Sequence, residues 1–199
     1  MVNRSICRVI AELVCAIVCG SSLASADTSA PPTTAPSADN IVIPRGTRTF
    51  ETYDSFAAQP KGQRSQLYSG TVGVGYYFRN NNSLSLEVSG LEGTQAGPDV
   101  WASAYNFLLR THLINQPGWT AFIDFGPGVM EGDHRLPEGG TDFNFFFKTG
   151  VGAEVHLTDR AYLLFGTRYM HISNARIDGA ARNPSLNTIQ GYMGLLFRW

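Results

Sequence analysis

Eight stretches of alternating apolar and polar residues, joined by connections that are in turn short and long, constrain this chain more than any other feature. The stretches cover about 46–56, then 67–78, 83–91, 100–113, 119–125, 143–156, 160–173 and 187–199. Successive side chains of a strand point to opposite faces, so each stretch sorts into two sets. In 143–156 one face is Phe143, Phe145, Phe147, Thr149, Val151, Ala153 and Val155, and the other is Asn144, Phe146, Lys148, Gly150, Gly152, Glu154 and His156. In 100–113, Trp101, Tyr105, Phe107, Leu109 and Leu113 oppose Asn106, Arg110 and His112. In 83–91, Leu84, Leu86 and Val88 oppose Ser83, Ser85 and Glu87, whereas 46–56 alternates poorly.

A soluble sandwich also alternates, so the connections decide. Asn80-Asn81-Asn82, Gln116-Pro117-Gly118 and Thr158-Asp159 are tight turns, and between them fall the polar stretches 57–66, 92–99, 131–142 and 174–186. Short periplasmic turns alternating with long external loops, with both ends of the barrel on the periplasmic side, are the rhythm of bacterial transmembrane barrels. Closure leaves no sheet edge unsatisfied in lipid. Tyr68 and Tyr76/Phe78 bracket Val72 and Val74 as interfacial girdles bracket an apolar band. Met193, Leu195, Phe197 and Trp199 alternate in the last stretch, resembling the terminal signal by which barrels are taken up by the outer-membrane assembly machinery. The expected fold is all-β, an eight-stranded antiparallel transmembrane β-barrel in the cell outer membrane, spanning 46–199.

The preceding residues fit that destination. Arg4 and Arg8, an apolar run from Val9 to Cys19 broken only by Glu12, and Ala24-Ser25-Ala26 read as a signal peptide over 1–26. The run is shorter than the roughly 20 residues of a membrane-spanning helix. Residues 27–45, rich in Pro, Ser, Thr and Ala to about Asn40, are expected to be a disordered linker. Cys7, Cys15 and Cys19 are the only cysteines, all in the signal segment, so disulfide and thiol chemistry are excluded from the mature chain. A net charge of −1 with 16% charged residues signals no nucleic-acid partner and no polybasic surface.

The seventh stretch holds the anomaly. Arg168 belongs to the lumen, which turns Leu163, Phe165, Thr167, Tyr169, His171 and Ser173 toward lipid. Counted from a periplasmic start, this strand runs outward and brings His171 and Ser173 to the external interface. Polar residues on the lipid face cost free energy, less so near the interface. Residues i and i+2 lie roughly 6.5–7 Å apart at Cα, a gap that side chains leaning together close. His171 would take the Ser173 hydroxyl proton while Ser173 attacks an ester carbonyl, with Asn174 stabilising the oxyanion by side chain or backbone N–H. A bare His-x-Ser occurs by chance, so context must support it.

His171-Ile172-Ser173-Asn174-Ala175 in the penultimate strand resembles the motif of the lipid A 3-O-deacylase (PagL) family. Asn183-Pro184-Ser185-Leu186-Asn187 before a closing strand resembles the following segment of acyloxyacyl-hydrolase-like proteins. The resemblance is clearest over 165–199. It implies an eight-stranded barrel that hydrolyses the ester-linked 3-hydroxyacyl chain of lipid A, the lipopolysaccharide anchor of the outer leaflet, with His171 as base, Ser173 as nucleophile and Asn174 on the oxyanion side. The family's deacylases orient the His with a Glu about fourteen residues on. Here that region holds Ser185 and Asn187, and Asp178 is the only acid after Asn174. Asp178 or Asn187 would take the orienting role; otherwise the site is a dyad or inactive.

Other residues read more plainly. His112 and His156 are expected in a lumen network with Arg110, Lys148, Glu154 and Arg168. His134 beside Asp133 sits in a solvated loop without a second ligand at metal spacing, so no metal or cofactor is called for. Gly126-Pro127-Gly128 and Gly139-Gly140 are read as turns, and Trp101 and Trp119 as interface anchors. Besides the deacylase, two readings compete: a catalytically silent structural or adhesive barrel working through its loops, and a soluble barrel with an apolar ligand in its lumen.

Overall fold

Each alternating stretch forms one strand of a closed antiparallel barrel in the computed structural model, which describes residues 41–60 and 65–199. The strands are β1 (Arg48–Ala58), β2 (Gln66–Arg79), β3 (Asn82–Thr94), β4 (Val100–Gln116), β5 (Trp119–Gly132), β6 (Phe143–His156), β7 (Ala161–Ser173) and β8 (Leu186–Arg198). Neighbours in sequence pair throughout, and β1 closes the ring against β8, from Thr49 opposite Arg198 to Ala58 opposite Ile189. The connections at one end are short and at the other long, one of the latter carrying a single 3₁₀ turn, Ala180–Arg182. Among the described residues no helix is long and apolar enough to cross a membrane; the strands do the crossing.

The outer face is apolar over most strands: Phe107, Leu109, Ile123, Phe125, Val151 and Met193 are all exposed there. The inner face is charged and buried. Arg110 pairs with Asp124 and Glu51, each at 3.0 Å, and Arg168 reaches Asp124 at 2.6 Å. Lys148 lies 3.5 Å from Glu87, and Arg198 pairs with Glu154, which also meets His112 at 3.2 Å. Arg110 stacks over Phe122 and Arg168 over Tyr192. Within this lumen the cavity among Leu67, Ser89, Met130, Phe146 and Lys148 holds about 10 Å³, against several hundred Å³ for a small-molecule site. The soluble ligand carrier is thereby set aside, because the outer wall is apolar and the interior is filled by side chains.

Four expectations need correction. Gly126-Pro127-Gly128 is not a turn but the middle of β5, which continues to Gly132. Gly126 and Gly128 face inward at a close strand approach: a Cβ on Gly126 would run into the Phe107 carbonyl oxygen, and one on Gly128 into the Phe146 ring. Pro127 is accommodated because the β4–β5 ladder has no pair between Asn106–Gly128 and Leu109–Phe125, so its missing N–H breaks nothing there. Gly139, by contrast, sits at φ 81° in an external loop, as a turn glycine does. His156 is exposed at the end of β6 and packs on Tyr162 at 5.3 Å between ring centres, outside the lumen network that His112 joins. The expected disordered linker also ends before Arg45. The Ile41 N–H donates to Asn115 O, Ile43 is buried and donates its N–H to Asn81 Oδ1, and Gly46 N–H donates to Tyr77 O. The first strand, β1, starts two residues later than expected and alternates poorly because it carries acids on both faces: Glu51 buried against Arg110, Asp54 exposed outside. The expected signal peptide and most of the linker lie outside the described residues.

Candidate functional site on the outer face of β7 and β8

The site is built by register. Arg168, Met170 and Ile172 are buried inside, so the two-residue period of β7 puts Tyr169, His171 and Ser173 on the outer wall. β6 sets Phe147 opposite His171 and Phe145 opposite Ser173; β8 sets Asn187 opposite His171 and Ile189 opposite Tyr169. His171, Ser173 and Asn187 are half-buried. Phe145 and Ile189 are exposed beside them, and Phe147 packs edge-on against Phe125 at 4.7 Å.

Asn187 Oδ1 accepts from His171 Nδ1 at 2.7 Å and from the Tyr169 hydroxyl at 2.5 Å. A carbonyl oxygen has no hydrogen to give, so Nδ1 is the donor in this bond. Of the two orienters considered, Asn187 is the one brought to His171. Asp178 lies instead in the external loops, lining a polar cavity of about 670 Å³ with Asp133, His134, Arg135 and Arg182. His171 and Ser173 share the outer face without a hydrogen bond between them; such contacts often tighten only when substrate arrives.

Asn174, expected on the oxyanion side, is engaged in the turn that leaves β7. It is buried, donates its N–H to Asn183 Oδ1 at 3.0 Å and its side-chain amide to Arg182 O at 2.7 Å, and accepts from Arg176 N–H at 3.0 Å. With Ala175 and Arg176 at positive φ (52° and 63°), it pins the turn leaving β7. An oxyanion role requires one of these bonds to be surrendered. The contacts that Asn183 and Tyr169 make were not legible in the sequence. The one signal for Asn183 was its place in the Asn-Pro-Ser-Leu-Asn segment, and for Tyr169 its parity with His171. The two motifs are thus joined twice, through Asn174–Asn183 and through His171–Asn187.

In the external loops, His134 Nδ1 lies 3.1 Å from Asp133. Desolvation works against it, but the Trp101 N–H and His134 hold the Asp133 carboxyl below its usual range. No group of three or more His, Cys, Asp or Glu side chains that could hold a metal occurs among the described residues.

A closed eight-stranded barrel with an apolar outer wall, a charged and filled lumen and long loops at one end is an outer-membrane protein. Solved structures agree on that fold. Neisserial surface protein A (NspA) matches with a TM-score of 0.53 at 15% identity, over 76% of this chain and 94% of that one. Outer membrane protein W of E. coli matches with a TM-score of 0.53 at 10% identity, over 78% and 99%. The outer membrane enzyme PagL matches with a TM-score of 0.52 at 15% identity, over 74% and 97%. No curated protein matches the chain by sequence. The family model of lipid A 3-O-deacylase (PagL) matches residues 56–195, and the chain belongs to that family.

Proposed function

We propose that the protein is a serine esterase that removes the 3-O-linked acyl chain of lipid A from the outer leaflet, with Ser173 as nucleophile, His171 as base and Asn187 as the group that orients His171. One observation carries the reading: on the outer wall His171 Nδ1 is bonded to Asn187 Oδ1 at 2.7 Å, which in the neutral ring puts the proton on Nδ1 and frees Nε2 to act as a base. Ser173 Oγ attacks the ester carbonyl while Nε2 takes its proton. The tetrahedral intermediate expels the sugar hydroxyl, which recovers that proton, and water then releases the fatty acid from Ser173 by the same route. A neutral amide does the orienting that a carboxylate does elsewhere in the family, without stabilising the imidazolium by charge. The exposed Phe145 and Ile189 offer apolar surface to an acyl chain. Asn174 serves the oxyanion on exchanging its bond to Asn183 or Arg182. The alternating Met193, Leu195, Phe197 and Trp199 would be the element grasped by the barrel-assembly machinery, after a signal peptide over 1–26 has directed export.

The test is lipid A mass spectrometry from cells expressing the chain beside Ser173→Ala and His171→Ala. Loss of one 3-hydroxyacyl chain with the wild type alone supports the esterase. Intact lipid A in all three, with each barrel folded, points to a silent structural or adhesive barrel.

A further inference from the structure

We infer that Tyr169 is a positioning residue for His171, acting through Asn187 by fixing which end of the Asn187 amide faces the imidazole; this rests on the esterase reading above. An amide has two ends of opposite chemistry. With Oδ1 toward His171, the imidazole proton sits on Nδ1 and Nε2 is a base. Turned by 180°, Nδ2 would donate to Nδ1, the ring proton would move to Nε2, and the Ser173 proton would have no acceptor. A carboxylate in this place has no wrong end, so a chain that places an amide here needs something to tell the ends apart.

Tyr169 supplies the distinction. It lies two residues before His171 on the same face, diagonal to Asn187, and its hydroxyl donates to the same Oδ1 at 2.5 Å. A phenol donates more readily than it accepts, because its oxygen lone pairs are drawn into the ring. The turned amide would exchange that donation for a weaker N–H bond onto the phenol oxygen. The plainer account of an aromatic here is an interface anchor, whose hydroxyl faces head groups or water. The Tyr169 hydroxyl is instead spent on Asn187 Oδ1, within the cluster that holds His171.

The experiment uses the full barrel, folded in detergent or nanodiscs and checked by heat-modifiable migration, in four forms: wild type, Tyr169→Phe, Asn187→Asp and the double variant. Two-bond proton–nitrogen spectra of His171 report the tautomer, and kcat and KM are measured on purified lipid A. Tyr169→Phe should move part of His171 to the Nε2–H form and lower kcat about tenfold, a fraction of what general-base catalysis contributes, with KM little changed. Adding Asn187→Asp should restore both, since either carboxylate oxygen accepts. An unchanged tautomer and kcat in Tyr169→Phe overturns the inference, as does a double variant no faster than Tyr169→Phe. The spectra need no turnover. A wild type that leaves lipid A intact but loses the Nδ1–H form in Tyr169→Phe would sink the esterase while keeping the Tyr169–Asn187 coupling.

Discussion

The inner and outer faces of β7 both carry polar residues, yet these are held in different ways. Inward, Arg168 is fully buried and bonded to Asp124 twice and to the Tyr53 hydroxyl, with Glu87 at 3.6 Å. It belongs to a network of Arg110, Lys148, Arg168 and Arg198 against Glu51, Glu87, Asp124 and Glu154, in which most members have more than one partner. Outward, His171 has Asn187, Asn187 has His171 and Tyr169, and the Ser173 hydroxyl has no hydrogen-bond partner among the described residues. Charges that cannot leave a dry interior must be neutralised many times over, and such a network plugs and braces the barrel. Polar groups on a lipid-facing wall have no such need and a standing cost. Their presence calls for a use. The same strand thus separates a structural polar face from the one proposed for chemistry.

That contrast breaks or sharpens on measurement. The largest effect is expected from Ser173→Ala: deacylation of lipid A by mass spectrometry should fall by at least about 10³-fold, with heat-modifiable migration unchanged. A variant that keeps near-native turnover would remove the chemical half of the contrast. On the inner face, Arg168→Met takes from Asp124 its shortest ion pair and from Glu87 one of its two cations. It should cost about 3–5 kcal/mol in urea unfolding from lipid vesicles, with turnover per folded molecule preserved; a dead but fully stable variant would reverse the assignment of faces. Asn187→Ala should lower kcat on the order of 10²-fold through loss of orientation with little change in unfolding. Gly126→Ala, which forces a Cβ toward the Phe107 carbonyl, should destabilise by about 1–3 kcal/mol and leave kcat alone. The smallest effect belongs to Asp178→Asn, which should change neither kcat nor stability beyond about 0.5 kcal/mol. A large loss there would hand the orienting role back to the loop.

Where a residue's role depends only on its own strand, it was legible in the chain. Arg168 inward and His171 and Ser173 outward follow from parity alone, as do the apolar outer faces of β3, β4 and β6. Where the role depends on a neighbour, it was not. Gly126-Pro127-Gly128 has the composition of a turn, and only the closeness of β4 explains it as mid-strand. His156 shares parity with Glu154, but two residues carry it past the end of the filled lumen. Asn174 follows the Ser in sequence, yet its bonds run to Asn183 and Arg182 across the loop.

Asp178 and Asn187 show the division most clearly. From the chain alone they were equal candidates, since either can reach back from beyond the turn. What separated them was the pairing of β7 with β8, which sets Asn187 directly across from His171 and leaves Asp178 among the loops. Alternation is a property of one extended chain, so the sequence by itself determined eight strands, their two faces and a His and a Ser aimed at lipid. Cross-strand register belongs to barrel closure, in which every strand's position depends on the stagger of the other seven. Only the tertiary structure therefore decided that the imidazole meets an amide oxygen, and that a tyrosine meets it too.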